Sequence, residues 1–283
     1  MRTGPRGMVF DRALTPELFD VALRVATESS GSNDSRRLLT VALRDYVSAQ
    51  EAEGKTKKCL SRIWVSPPES AREMIRWAID HQDLDPERTV LHLGALLATF
   101  PFAGIVTSLV GRQLHLEGAV NPRQVRSETT ALLGDRSTID VGARKVVTTL
   151  RYLGLLTRPN GGRLLLGRQP TVHSSLADWV THALLLTRQV DAVGVDGRSR
   201  AFELATLKLD NGWSGGYPLL ELHVEGSRTV VSPSVMSGDY ATNGRRPGAG
   251  FDSQAQLGLG AETSGASSLP PSRATRTKLA KNP

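Results

Sequence analysis

NPRQVRSETTALLGDRSTIDVGARKVVTTLRYLGLLTRPNGGRLLLG, residues 121–167, reads as helix, tight turn, helix and basic hairpin. Asn121 is a capping residue followed by Pro122 at the first helical position, and Gln124 stands where its side chain completes a capping box. Val125, Ala131, Leu132 and Leu133 ride on this first helix, which Gly134 stops. The second helix runs over roughly 141–153, capped from Ser137, Thr138 or Asp140. At about 100° per residue, Ala143, Val146, Val147, Leu150 and Leu153 gather on one side, and Arg144, Lys145, Thr148, Arg151 and Tyr152 on the other. Gly154 ends the helix. Two apolar runs then flank Pro159-Asn160-Gly161-Gly162, a strong hairpin signal.

Two helices and a hairpin match the second half of a winged helix-turn-helix. In that arrangement the second helix enters a major groove with Arg144, Thr148 and Arg151 in one exposed row and Lys145 beside them, while Arg158, Arg163 and Arg168 decorate the wing. The competing reading is a scaffold or dimerisation unit whose basic face is merely solvated.

Working outward, residues 1–13 form a lead-in, and Thr15, Pro16 and Glu17 begin a helix with Leu14 and Phe19 as its hydrophobic staple. Another helical pattern runs from near Arg36 to Val47. Lys55, Lys57, Lys58 and Arg62 make a basic cluster interleaved with Cys59, Leu60, Ile63 and Trp64, a candidate second ridge for phosphates. Ser66-Pro67 and Asp85-Pro86 repeat the cap-proline start, and Pro101 interrupts the apolar run 90–110, which reads as a buried helical hairpin rather than a membrane span.

Beyond the wing, Ser174 or Ser175 begins a helix through Leu186. Val190 to Val195, a turn at Asp196-Gly197, and Ala201 to Leu209 suggest a short sheet, and a hairpin closes around Glu225-Gly226. From Ser237 onward Gly, Ser, Pro, Ala, Thr and Gln dominate, a composition expected to be disordered. The expected organisation is thus mostly α: a helical domain over 14–115, a winged module over 88–168 sharing its last helices, a small mixed α/β region over 174–234, and a tail over 237–283.

The chain has 283 residues, a formal net charge of +7 and one cysteine, Cys59. A disulfide within the chain and a cysteine-built zinc site are therefore excluded. The basic balance favours an acidic partner, but the tail supplies +3 of that charge through Arg245, Arg246, Arg273, Arg276, Lys278 and Lys281 against Asp239, Asp252 and Glu262. Local placement must therefore carry the argument. With neither an apolar leader nor a spanning run, the expected location is the cytoplasm, without membrane contact.

No P-loop, dinucleotide fingerprint or zincin helix occurs, and neither a metal nor a cofactor is expected. Gly212-Trp213-Ser214-Gly215-Gly216 matches the bare string of a serine-hydrolase elbow, yet the glycines and Pro218 oppose the helix that motif needs. The enzymatic alternative is a metal-dependent nuclease that combines Asp191 or Asp196 with Glu203 and Lys208. In a regular strand, however, Glu203 and Lys208 point to opposite faces. A structural adaptor is the remaining alternative, with Trp213 or Tyr217 as interface anchors.

The helical N-terminal part, the basic run Lys55 to Arg62, the long helical middle, and the helix ending in Leu150-Arg151-Tyr152-Leu153-Gly154-Leu155-Leu156 together resemble the BrxA family of BREX phage-defence accessory proteins, over roughly residues 36–158. The hairpin around Gly226 and the tail lie outside that pattern. The resemblance implies a non-enzymatic protein that binds DNA, or alternatively RNA, beside larger protein partners in a defence complex.

Overall fold

Every residue of Val90–Thr99 is buried, and a helix without a polar face has to sit at the centre of its fold. The computed structural model, which describes residues 9–29, 34–47, 50–159, 162–210 and 212–234, places this helix there. Labelled in chain order, α1 is Pro16–Ser29, α2 Ser35–Leu43, α3 Gln50–Leu60, α4 Arg72–Asp80, α5 Thr89–Thr99 and α6 Pro101–Glu117. α3 continues into one π-helical turn, Ser61–Val65, and α4 is entered through a 3-10 turn, Glu69–Ala71. Pro101 breaks α5 from α6 as its missing donor requires, and the two axes bend by 119°. Among the described residues no single helix is long and apolar enough to cross a membrane.

After α6 come β1 (Ala119–Val120), α7 (Pro122–Leu133), α8 (Ser137–Tyr152), β2 (Leu156–Thr157) and β3 (Leu164–Leu166). The strands form an antiparallel sheet in the order β1-β3-β2, with Val120 opposite Leu164 and Leu156 opposite Leu166. β3 thus bridges the segment before α7 and the segment after α8. The Asn160-Gly161 turn lies outside the described residues.

Local capping differs from expectation in informative ways. Asn121 Oδ1 accepts from Arg123 N, but Gln124 does not close the box: its amide donates to Glu128, and Gln113 from α6 takes the Asn121 N–H at 2.8 Å. Because Gln113 is buried where α6 meets β1, a tertiary acceptor replaces the local one. α8 begins earlier than the periodicity suggests, at Ser137 behind Arg136, with no side-chain cap; Asp140 instead pairs with Arg126 at 3.1 Å. Ser66 accepts from Arg36 rather than capping α4, because Pro68 holds the chain extended before the 3-10 turn. α5 starts only at Thr89, and buried Asp85 reaches across to accept from Val90 N and Leu91 N at 2.7 and 3.0 Å. The pattern from Arg36 to Val47 closes as a helix at Leu43, and Leu132 of α7 is exposed.

The C-terminal elements are β4 (Thr171–Val172), α9 (Ser174–Arg188), β5 (Val193–Gly194), α10 (Val195–Arg198), β6 (Lys208–Leu209), β7 (Leu220–Glu225) and β8 (Arg228–Pro233). The sheet expected over 201–209 shrinks to β6, paired parallel with β4, because Phe202–Leu204 forms a 3-10 turn. Asp196-Gly197 lies inside α10 rather than in a turn. The hairpin around Gly226 forms as expected, with Gly226 at φ +62°. β5 adds to the β8 edge of that hairpin.

α9 belongs to the main core. Its Trp179 lies against Gly94 of α5, where an added Cβ would stand 2.2 Å from the indole, and its Nε1 donates to Met74 O. Asp178 and Arg198 form a fully buried pair at 3.1 Å. Arg198 also donates to the carbonyls of Asp210 and Gly212, and Asp178 accepts from Ser214 Oγ. One hydrophobic cluster consequently runs from Phe10 to Val231. The tail over 237–283 lies outside the described residues.

Two tests follow from this packing. Gly94→Ala drives a methyl into the Trp179 ring and is expected to cost about 1–3 kcal/mol in urea unfolding. Burial pushes His182 down to about 4 while its Nδ1 meets the Tyr217 hydroxyl at 2.8 Å. The unfolded chain, with an ordinary histidine, binds that proton at higher pH, so stability falls as pH drops from about 6.5 towards 4 and levels off below. The loss is on the order of 3 kcal/mol. Urea midpoints of the native chain and His182→Gln over this range measure the difference.

Candidate nucleic-acid interface

α8 buries Ala143, Val146, Val147 and Leu150 and turns the opposite side outward. Arg144 is exposed, and Thr148 and Arg151 are half-exposed in the same row; the Thr148 hydroxyl donates to Arg144 O, one turn back. Tyr152 is 48% exposed at the end of that row. Among the described residues neither Arg144 nor Arg151 has an ion-pair or hydrogen-bond partner for its side chain. The two guanidiniums of the row therefore have no side-chain partner among the described residues.

The extended segment 9–15 runs along one flank of α8. Leu14 N donates to the buried Thr149 hydroxyl at 3.0 Å, and Val9 packs at Gly142, where a Cβ would stand 2.5 Å from its methyl. Between these points Asp11 accepts from the Cys59 thiol of α3 at 3.4 Å. The segment thus joins α8 to α3. Lys145, half-buried on this flank, has its pKa lowered first by burial and then by Arg144 and Arg12, with Lys55 adding to the effect and Asp11 opposing it. Arg12, Lys55 and Arg144 therefore all lie near enough to Lys145 to disfavour its charge.

The candidate residues differ in freedom. Lys55 is tied to Glu51 at 2.6 Å, whereas Lys57 and Lys58 have no such partner among the described residues. Arg62 is anchored at its base: Nε donates to Thr99 O at 2.9 Å, and the guanidinium lies 5.4 Å from the Phe100 ring centroid. Of the wing arginines, Arg158 is exposed and has no partner among the described residues, Arg163 pairs with Glu117, and Arg168 pairs with Glu87. Periodicity shows neither those pairs nor the participation of Arg12 and Asp11, because each depends on contacts across the fold.

Of the residues considered for catalysis, Glu203 and Ser214 are engaged elsewhere. Glu203 is buried and bidentate with Arg188, at 2.9 and 2.7 Å, and it faces a different cavity from Lys208. Among the described residues no group of three or more His, Cys, Asp or Glu is placed to hold a metal ion. Ser214 donates to Asp178 at 2.5 Å and no helix follows it. Tyr217 is buried and so is not a surface anchor, while Trp213 is half-buried.

No protein-family model, curated protein or solved structure matches the chain.

Burial, reinforced by Asp11, pushes the Cys59 thiol up to about 12. An aromatic disulfide reagent at pH 8 is expected to label it only slowly in the native protein and promptly in denaturant, because the thiolate is the reacting form. Prompt native labelling would place segment 9–15 away from α3.

Proposed function

We propose that this chain is a non-enzymatic nucleic-acid-binding protein in which residues 101–166 act as a winged helix-turn-helix, with α8 lying in the major groove of duplex DNA. The reading is supported by the element order, a helix, a short strand, two helices and a hairpin joined by the β1-β3-β2 sheet. The observation that carries it is the outward row of Arg144, Thr148 and Arg151 on α8, with Arg12 and Lys55 near enough to Lys145 to disfavour its charge. A B-form major groove admits a helix, whereas the deep, narrow major groove of A-form RNA does not, so duplex DNA is the partner this surface favours.

In this reading Arg144 and Arg151 face the groove, Lys145, Lys55 and Arg158 hold phosphates, and the paired Arg163 and Arg168 orient the hairpin. An accessory place in a phage-defence complex belongs to the same proposal and rests on the BrxA resemblance alone.

Neutralising α8 in the full chain tests the reading, since native and variant protein then share the same basic tail. Arg144→Gln/Arg151→Gln is expected to weaken duplex binding by about tenfold or more near 0.1 M salt and to flatten the logarithmic salt dependence by about two charges. Fluorescence anisotropy at several salt concentrations provides both numbers. Unchanged affinity in a folded variant would remove α8 from the interface.

A further inference from the structure

Between α2 and α3, a cavity of about 390 Å³ is lined by Arg36, Lys57, Lys58, Ser61, Arg62 and Ser66. Four of these six side chains are cations, two are hydroxyls, and none is a carboxylate. Of the acids that flank them in sequence, Asp34 pairs with Arg37 at 3.2 Å, Glu51 with Lys55 at 2.6 Å, and Glu69 with Arg72, while Glu53, one turn before Lys57, lies outside the lining. The cavity's positive charge is therefore left without a compensating group in its own wall.

Both arginines are held in place before any ligand arrives. Arg36 donates one Nη2 hydrogen bond to Ser66 Oγ at 2.9 Å, which fixes its plane and leaves the rest of its donor fork available. Arg62 is fixed through Thr99 O and the Phe100 ring. Its pKa is lowered by burial, as expected for a guanidinium drawn partly out of water. Lys57 and Lys58 are the mobile donors, and Ser61 contributes a hydroxyl from the π-helical turn.

Two pre-oriented guanidiniums, two ammonium groups and two hydroxyls around a concave space suit a compact oxyanion with several acceptor atoms. The geometry points to a phosphate-monoester site between α2 and α3: a dianionic phosphate, carried on a strand end or a free nucleotide, bound by Arg36, Lys57, Lys58 and Arg62. A dianion answers four uncompensated cations better than the single charge of a backbone diester. The site deepens the nucleic-acid reading without depending on α8, because its residues lie on other elements.

The test uses full-length protein in two arms. Titration with a nucleoside 5′-monophosphate, followed by calorimetry, is expected to saturate with native protein. It is expected to weaken at least tenfold in Arg36→Gln/Lys57→Gln and to remain unchanged in Arg144→Gln/Arg151→Gln. In the second arm, a short oligonucleotide bearing a 5′-phosphate is compared with its 5′-hydroxyl twin; severalfold preference for the phosphorylated strand, lost in Arg36→Gln/Lys57→Gln, assigns the source to strand ends. Saturation by the mononucleotide without strand preference assigns it to a free nucleotide. A non-saturating mononucleotide titration together with equal affinity for the two oligonucleotides would overturn the proposal. Absence of duplex binding beside saturable mononucleotide binding would instead reject the reading of α8 and leave this site standing. Arg36 and Lys57 are at the surface, and a thermal melt confirms that the double variant is folded; Lys58→Gln repeats the measurement from a third wall residue.

Discussion

The hydrogen bond from Leu14 N to the buried Thr149 hydroxyl holds together the two parts of the basic surface. Leu14 precedes α1 and has no ladder to satisfy its amide, and a buried donor left unpaired costs about 1–3 kcal/mol. Thr149 supplies the acceptor from inside α8, so the extended segment 9–15 is fixed along that helix. Gly142 lets Val9 approach at the other end of the contact, and Asp11, carried between them, takes the Cys59 thiol. α3 and α8 are far apart in sequence, yet this short segment contacts both. Arg12, carried on the same segment, stands near enough to Lys145 to disfavour its charge.

Bringing like charges together opposes folding, and the chain does not cancel that opposition at this surface as it does elsewhere. Inside the C-terminal part, Arg188 is matched by Glu203 and Arg198 by Asp178 and two carbonyls, so those cations fix the position of loops. Arg163 and Arg168 tie the hairpin to α6 and to the turn before α5. Lys145 has no such partner, and its ammonium is disfavoured by its neighbours as well as by burial. An anion placed there relieves repulsion already present in the free protein, which makes the surface a better receptor than its net charge suggests.

Much of this was legible in the sequence where the cause is local. Asn121 caps α7 and Pro122 follows it, the apolar side of α8 is the buried side, Pro101 breaks the central run, and Gly226 turns the last hairpin. The misreadings share one physical origin: a distant partner outcompeted a near one. Gln113 displaced Gln124 at the Asn121 amide, Arg36 claimed Ser66, and Arg126 took Asp140 from the start of α8. The mixed region looked separate because its strands are short and its turns polar. Its helix α9, however, is buried on nearly every side, and Trp179 reaches Met74 through the gap left by Gly94. At the candidate site, the row on α8 followed from helix periodicity, whereas Arg12 and Arg36 did not, since neither stands in a charged run on its own face.

The placement of α3 gives the surface two compartments rather than one. Its Cys59 thiol meets segment 9–15, and its Lys57 and Lys58 wall the cavity with Arg36, Ser61 and Ser66. In the proposed reading a ligand in the cavity and a duplex on α8 would be coupled through the strand that joins them and through α3 itself, where Lys55 and Lys58 are neighbours three residues apart. In the proposed reading, raising salt would weaken the broad contact on α8 by counterion release, whereas Arg36 and Arg62 would keep the orientation that Ser66 and Thr99 give them. The two contacts would then differ in their response to ionic strength, even though α3 contributes to both.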